Sequence, residues 1–331
     1  ALPLCRASLR MNRVARPPKL WQGCAMTQQK TMTSIDWAEI LLLAAIWGGV
    51  FLATAIVLRD LPVFTLVAAR VGGGALALWA YLLILRIPIQ LGRAELVGFL
   101  GMGLLNNVIP FALMAWGQTH IESSLTAIFN ASTAFFGVIT AAALLADERL
   151  SARKTGGVLL GLGGVVIALG WESLRSFDIR SLAQLAVIAG TLSYACAGVW
   201  ARKRLGHLRP ELAAAGMLSA ATLIMLPLAL AYDGLPAKIP APESIAALLF
   251  IMLIATSGAY LLYYRILARA GAANLMLVTL LIPPFAIIFG AAVLGESLPL
   301  RSYAGLCLIA LGMLVLDGRF LRRLARRALA R

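Results

Sequence analysis

The sequence has few of the residues on which soluble catalysis and metal binding depend. Of its 331 residues, 13% are charged, two are histidine and four are cysteine. The cysteines, at positions 5, 24, 196 and 307, include no CxxC pair and no Cys/His cluster, so we predict neither a disulfide framework nor a metal site. Apolar residues make up 61% of the chain and are gathered into long runs, which is typical of a membrane protein.

Catalytic motifs are missing as well. The sequence contains no GxxxxGK[ST] loop, no HExxH, no paired-aspartate motif and no nucleophile beside a base. No carboxylate lies deep within such a run, since Glu39 is at the very edge of the first, and His120 and His207 fall between runs. We therefore predict a protein that is not an enzyme, with no catalytic residues, no cofactor and no metal.

The apolar runs are long enough to cross a bilayer, which requires roughly 20 residues per helix. The predicted spans are 38–58, 63–85, 95–116, 121–144, 156–171, 182–201, 211–231, 244–264, 272–294 and 302–316. The predicted fold class is thus an all-α integral membrane protein with ten transmembrane helices.

The formal charge of +15 could indicate nucleic-acid binding, so the positions of the basic residues matter. With the N-terminus inside, 23 Lys and Arg residues lie in cytoplasmic segments and five in outer loops. Without the termini the ratio is still 11 to five. This asymmetry predicts a multi-pass protein of the inner or plasma membrane with both termini cytoplasmic. The expected partners are the lipid bilayer and a small-molecule substrate, not nucleic acid.

The chain repeats itself when it is shifted by 148 residues. This shift aligns Pro62 with Pro210, Glu148 with Glu296, Gly157 with Gly305 and Gly164 with Gly312. Each copy has five spans, an odd number, so the second copy is inverted relative to the first. Two inverted copies predict alternating access to a central site. The glycine stripes in spans five and ten predict close helix packing, as scaffold or as the surface of a homodimer.

The predicted domains follow from this repeat. Residues 1–35 form a basic arm, 36–171 the first repeat, 182–317 the second repeat, and 318–331 an Arg-rich cytoplasmic tail. We expect the arm to be disordered and cytoplasmic. A transit peptide and a start site at Met26 or Met32 are the alternatives.

Polar residues and helix breakers inside the spans are the candidate site. Pro110 removes the helical partner of the Asn106 carbonyl, and Gly258 occupies the matching position in the second copy. The predicted helix breaks are Pro110, Gly258, Pro283 and Pro284. The predicted substrate-binding residues are Trp47, Arg70, Asn106, Asn107, Asn130, Tyr194, Ser257, Tyr260 and Asn274.

Each of these features has an alternative interpretation. Arg70 either attracts an anionic substrate group or has a structural role, in which it binds helix-end carbonyls or snorkels. The prolines and glycines either shape a binding site or permit bends. Trp47 either stacks on substrate or anchors at the interface. Glu148 and Glu296, each five residues before an arginine, predict helix-end ion pairs or, alternatively, proton coupling.

The sequence resembles the EamA-like ten-helix branch of the drug/metabolite transporter superfamily. The resemblance rests on AAIWGGVFLAT at 44–54 and on the duplicated stretches LLADERLSARKTGGVLLGLGG and AVLGESLPLRSYAGLCLIALG, and it extends over residues 38–316. It implies a cavity between the repeats, with the fifth and tenth helices outside it. It also implies substrates such as amino acids, other small metabolites or cationic drugs.

The resulting hypothesis is a secondary transporter that exports a small metabolite such as an amino acid. The alternatives are a drug-like, nucleotide-sugar or lipid-linked cargo, and a membrane-embedded enzyme or scaffold. Transport would be driven by a proton gradient, by exchange or by the substrate's own gradient.

Overall fold

The computed structural model describes residues 33–89, 91–145, 150–170, 178–235, 238–270, 275 and 277–317. The arm before residue 33, Glu148, Asn274 and the tail after residue 317 lie outside these residues. The described helices are α1 (Ser34–Val57), α2 (Val63–Ile84), α3 (Arg93–Gln118), α4 (Ser123–Leu144), α5 (Ala152–Leu169), α6 (Ile179–Arg204), α7 (Pro210–Asp233), α8 (Pro242–Leu249, Phe250–Gly258 and Ala259–Ala270), α9 (Leu277–Leu294) and α10 (Leu300–Asp317).

Local sequence sets where these helices begin. Thr33 and Asp36 form a capping box at α1, in which the Thr33 hydroxyl accepts a hydrogen bond from the backbone N–H of Asp36 at 3.2 Å. The Asp178 side chain caps α6 by accepting from the N–H of Ser181 at 2.8 Å. Pro210 opens α7, where its missing N–H has no helical partner to lose.

Most helices that the structure describes are suited to a bilayer. Nine of them are long and apolar enough to cross a membrane, and a tenth apolar stretch, Leu300–Leu316, is shorter. Large apolar side chains such as Leu76 and Leu223, each 73% exposed, point away from the protein. In water such exposure would be unfavourable, whereas in hydrocarbon it is the normal state of a transmembrane helix. The prediction of an all-α membrane fold is confirmed.

The helices pack as two inverted five-helix repeats. Helix α1 packs along α9. When the repeats are exchanged, α1 corresponds to α6 and α9 to α4, and these two helices also pack together. Likewise α3 contacts α6 and α7, while α8 contacts α1 and α2. The exchange of the two repeats turns α2 into α7 and α5 into α10, and the two helices of each of these pairs also contact each other. All of these contacts are therefore related by the same pseudo-twofold axis.

The α5–α10 pair shows this symmetry at the level of single atoms. A Cβ atom added to Gly164 would lie 2.7 Å from the carbonyl oxygen of Gly305, and one added to Gly312 would lie 2.7 Å from that of Gly157. The two contacts exchange under the 148-residue shift. Only glycine allows the helix backbones to approach this closely. The glycine stripes thus join the two repeats within one chain.

Helix α1 begins earlier than predicted, and this changes the account of its charges. The predicted start was residue 38, but the capping box extends the helix back to Ser34 and brings a second carboxylate, Asp36, into it. Both Asp36 and Glu39 are buried. Arg269 lies 2.7 Å from Asp36, and Arg265 lies 2.9 Å from Glu39, so the carboxylates are paired with the end of α8.

Candidate functional site: a cavity between the two repeats

Helix α3 changes its hydrogen-bonding pattern where Pro110 was predicted to interrupt it. Residues Leu104–Val108 form a π-helical turn directly before the α-helical segment that contains Pro110. The proline has no N–H, so regular i to i−4 bonding cannot pass through it, and the backbone N–H of Ile109 bonds instead to the carbonyl of Leu104. The carbonyl of Leu105 accepts from the Ser193 hydroxyl of α6 at 2.7 Å.

Helix α8 changes its pattern at the matching position. Its π-helical segment, Phe250–Gly258, ends at the predicted Gly258 and spans the positions that correspond to the α3 turn. The Ser257 hydroxyl contacts two carbonyl oxygens, those of Met252 and of Gly74 in α2, each at 3.1 Å. A Cβ added to Gly74 would lie 2.8 Å from Cγ2 of Thr256, so this glycine lets α2 lie close against the π segment.

Helix α4 is interrupted as well, and two prolines lie inside α9. Helix α4 consists of Ser123–Asn130 and Thr133–Leu144, and the Thr133 hydroxyl donates to the carbonyl of Asn130 at 2.8 Å across the break. Helix α9 stays helical through Pro283 and Pro284, but Pro283 cannot bond to the carbonyl of Thr279. Breaks in both repeats expose backbone carbonyls at mid-helix, as in membrane transporter sites.

A cavity of about 640 Å³ lies among these helices. Its walls extend from Thr54 and Gln118, near one end of the bundle, to Leu208 and Pro210, near the other. The described lining residues come from all helices except α5 and α10 and from the α6–α7 connection. Their polar and aromatic members are Trp47, Phe51, Thr54, Arg70, Asn106, Phe111, Gln118, Asn130, Thr133, Tyr194, Arg202, Tyr260, Tyr263 and Thr279.

Hydrogen bonds join several of these side chains across the repeats. The Asn106 amide nitrogen lies 3.3 Å from the Tyr260 hydroxyl and donates to it. The indole N–H of Trp47 donates to the carbonyl of Ala255 at 3.2 Å, and its ring centroid lies 5.9 Å from that of Tyr263. Trp47 thus lies in the cavity wall at mid-helix, not at a span end where an interfacial anchor would be.

Arg70 faces the cavity without an acidic partner in the described part of the chain. Its guanidinium carbon lies 3.6 Å above the ring centroid of Phe111, and its Nε donates to the Thr256 hydroxyl at 3.4 Å. The phenols of Tyr194 and Tyr260 are near enough to interact with it electrostatically. Its contacts are therefore an aromatic face and a hydroxyl rather than helix-end carbonyls.

The predicted site residues divide into two groups in the described structure. The cavity lining contains Trp47, Arg70, Asn106, Asn130, Tyr194 and Tyr260. The lining does not contain Asn107 or Ser257. The amide of Asn107 is fully buried and has no hydrogen-bond partner among the described protein residues. The hydroxyl of Ser257 contacts backbone carbonyl oxygens instead. Both are on the same helices as lining residues but on other faces.

The predicted set of site residues omitted several groups in and around the cavity. Phe111 and Thr256 complete the surroundings of Arg70, and Thr133 and Gln118 add polar groups to the wall. Phe111 is one residue after Pro110, and Thr256 is adjacent to the predicted Ser257. Helical periodicity alone does not show which of two neighbouring residues faces a cavity when a π turn shifts the register.

Polar contacts also lie at both ends of the bundle. At one end Glu95 lies 3.1 Å from His207, and Asp36 and Glu39 pair with arginines of α8. At the other end Arg180 pairs with Glu122 at 2.6 Å. There, too, Glu296 accepts hydrogen bonds from the backbone N–H groups of Ser123 and Ser124. Glu296 therefore caps the N-terminus of α4. A helix-end ion pair was predicted at this residue from the sequence, and the cap was not.

The fold and the cavity define a polytopic membrane protein with a central cavity between inverted repeats. The model of the EamA-like transporter family matches this chain twice, at residues 37–170 and 181–316. The chain belongs to the EamA-like transporter family.

Individual relatives agree with this assignment at low identity. The chain is 22% identical to the "Uncharacterized transporter YoaV" of Bacillus subtilis, covering 86% of this chain and 97% of the relative. It is 25% identical to a "Probable amino-acid metabolite efflux pump" of Salmonella typhimurium, covering 89% and 99%. A solved crystal structure superposes with a TM-score of 0.62 at 20% identity, covering 86% of this chain and 98% of that one, which supports the fold. The protein is thus a membrane transporter of this family.

Proposed function

We propose that this protein is a secondary transporter of the inner or plasma membrane that exports a small metabolite, such as an amino acid or a related compound, by alternating access. Both termini face the cytoplasm. The observation that carries the proposal is the 640 Å³ cavity, which both inverted repeats line beside interrupted helices. A volume of this size accommodates a small metabolite.

The residues that bind the substrate are those predicted residues that line the cavity. Trp47, Asn106 and Tyr260 offer an aromatic face, an amide and a phenol from three helices. The interruptions at Pro110 and Gly258 and the prolines of α9 are the proposed hinges, because irregular backbone lets one half of a helix move relative to the other.

The identity of the relatives supports the cargo class. Relatives in Escherichia coli and Salmonella typhimurium are described as probable amino-acid metabolite efflux pumps, at 22% and 25% identity. The homodimer predicted from the glycine stripes stays a prediction, because here those stripes contact each other within one chain.

Counterflow in proteoliposomes tests this function. Vesicles that contain the full-length protein are loaded with a pooled mixture of amino acids and metabolites, and loss is followed by mass spectrometry with and without a pH gradient. We expect selective loss of one compound class relative to protein-free vesicles. Loss of nothing under either condition would contradict the proposal. A dependence on the pH gradient would establish proton coupling.

A further inference from the structure

We infer that the cavity selects a small carboxylate with an apolar or aromatic body and that Arg70 binds the carboxylate group. This inference rests on the proposed function and names its substrate class. Four observations support it: the charge of the cavity, the surroundings of Arg70, the residue at its symmetry-related position and the neighbouring aromatic groups.

The charge of the cavity wall favours an anion. The described lining residues include two arginines, Arg70 and Arg202, and no aspartate or glutamate. A substrate whose only charge is an ammonium group needs a carboxylate nearby in a cavity of low dielectric, and the described lining offers none. An anion, by contrast, meets the positive charge of Arg70, and this attraction strengthens as water is excluded. The wall therefore disfavours purely cationic substrates.

The surroundings of Arg70 leave its charge uncompensated. No described aspartate or glutamate lies within ion-pair distance of it, and its contacts are Phe111 and the Thr256 hydroxyl. An arginine in a membrane span is unfavourable without a counter-charge, water or an interface. A bound carboxylate would supply that counter-charge, and the planar guanidinium matches its two oxygens in bidentate geometry.

The symmetry of the fold shows that the packing does not require a charge at this place. The 148-residue shift relates Arg70 in α2 to Leu218 in α7, and Leu218 is fully buried. The same helix position in the other repeat is thus filled by an ordinary core residue. Arg70 is a departure from the repeat, and its side chain lines the cavity. A binding role explains this departure better than a structural one.

Aromatic groups lie next to Arg70 and define the body of the ligand. Arg70 contacts Thr256, and Trp47 donates to Ala255, so the guanidinium and the indole bind consecutive residues of the α8 π segment. Both side chains also line the same cavity, so one small molecule can contact both. Tyr263 extends the surface beside Trp47. A carboxylate at Arg70 would thus place its apolar body against Trp47.

Four compounds that share a phenyl body separate the possible head groups. The purified full-length protein in detergent is titrated with L-phenylalanine, 3-phenylpropionate, phenethylamine and phenyl phosphate. Binding is read from tryptophan fluorescence and from the midpoint of thermal unfolding. We expect both carboxylates to bind and to raise the midpoint, and the amine to bind on the order of tenfold more weakly.

Variants then assign the effect to Arg70. In Arg70→Gln the affinity for both carboxylates should fall on the order of tenfold or more, since a charge-assisted pair is lost. Arg70→Lys should retain part of it, because the charge stays without the planar geometry. The matched control is Arg59→Gln, at an exposed arginine outside the cavity lining, which should bind like the wild type.

The outcomes distinguish this inference from the proposed function. Equal binding of phenethylamine, tighter binding of phenyl phosphate, carboxylate affinity unchanged in Arg70→Gln, or binding of none of the four would each overturn the inference. The counterflow assay is independent of it. Carboxylates that bind without counterflow would leave the inference in place and remove the transport proposal, whereas selective counterflow of amines would do the reverse.

Discussion

The Asn106 amide donates to the Tyr260 hydroxyl at 3.3 Å, and this bond links the interrupted regions of the two repeats. Asn106 lies within the π turn of α3, and Tyr260 follows the π segment of α8 by two residues. Both side chains also line the cavity. A ligand that replaces this bond would act on both interrupted helices at once, which is how substrate binding can be coupled to rearrangement of the repeats.

Removing this bond should therefore impair transport more than folding. Tyr260→Phe takes away the acceptor and leaves the Asn106 amide poorly paired, which costs about 1–3 kcal/mol in a partly buried site. We expect counterflow to fall on the order of tenfold in Tyr260→Phe, and further in the double variant Asn106→Ala, Tyr260→Ala. Initial rates in proteoliposomes at matched protein content measure this effect.

The matched control changes another tyrosine in the same way. Tyr232 is 76% exposed and does not line the cavity, so Tyr232→Phe should transport like the wild type. Wild-type rates in the Asn106 and Tyr260 double variant would remove these two residues from the binding site.

The α5–α10 contact should be sensitive to added volume at Gly164. A Cβ on Gly164 would lie 2.7 Å from the Gly305 carbonyl oxygen and 2.8 Å from the Ile309 nitrogen, and both are backbone atoms that cannot rotate away. We expect Gly164→Ala to destabilise the protein by about 1–3 kcal/mol, a typical result of overpacking. Thermal unfolding in detergent, followed by size-exclusion chromatography, measures it.

The adjacent glycine provides the control for helix propensity. A Cβ on Gly163 would meet only Cδ2 of Leu308 at 3.7 Å, an ordinary van der Waals contact. Gly163→Ala should be neutral or stabilising by up to about 1 kcal/mol, because alanine favours the helix. If both variants were equally stable, the backbone approach of α5 and α10 would not be as close as described.

The connection between α1 and α2 should give stability a measurable dependence on pH. Hydrogen bonds from Ser244 and from the backbone N–H of Ala241 lower the pKa of Asp60 from its ordinary 3.8. A carboxylate with a lowered folded-state pKa contributes stability that is fully present above pH 3.8 and is lost as the pH falls through the lower folded-state pKa.

This effect is isolated by comparing the wild type with Asp60→Asn. The asparagine cannot ionise, so the wild type should be the more stable of the two at neutral pH. The difference in unfolding midpoint should shrink as the pH falls below 3.8. A difference that stayed constant or grew over this range would show that the charge of Asp60 does not stabilise the contact with α8.

Much of the fold follows from the sequence because membrane helices obey simple rules. The backbone must satisfy its own hydrogen bonds in lipid, so long apolar runs become helices and their number and order can be read directly. The 148-residue shift then predicts the inversion, and it correctly relates Gly157 to Gly305 and Gly164 to Gly312. The end of α6 differs, since Arg202, Lys203 and Arg204 extend it to residue 204, where cations favour a helix C-terminus.

The cavity lining was less predictable, for two physical reasons. The polar residues do not follow the repeat: Trp47 corresponds to Ala195, and Arg70 to Leu218, so symmetry gives no information about them. In addition, each π segment rotates the residues that follow it about the helix axis. A residue can then face the side that regular α-helical spacing would assign to its neighbour. This explains why Asn106 lines the cavity while Asn107 is buried elsewhere, and why Thr256 rather than Ser257 contacts Arg70.

Glu296 should control how readily the bundle opens at the end where α4 begins. It lies after α9, in the second repeat, and accepts from the N–H groups of Ser123 at 2.8 Å and Ser124 at 3.0 Å, in the first repeat. Hydrogen bonds to a charged group contribute about 1.5–3 kcal/mol each, and the positive end of the α4 dipole adds to them. Alternating access requires these elements to separate, so Glu296→Ala should favour the state that is open at this end.

Cysteine labelling measures this opening. In a background without the four native cysteines, Ala127→Cys places a thiol at a position of α4 that is fully buried, about one turn beyond Ser123. A membrane-impermeant maleimide should label it roughly tenfold faster in Glu296→Ala, because the closed state loses more than 1.4 kcal/mol of stabilisation. Glu243→Ala, at an exposed glutamate on the same predicted side, should leave the rate unchanged. Equal labelling in all three proteins would show that Glu296 only caps α4 and does not hold the two repeats together. Loss of a cap that lies within one moving unit would not expose Ala127 to the maleimide.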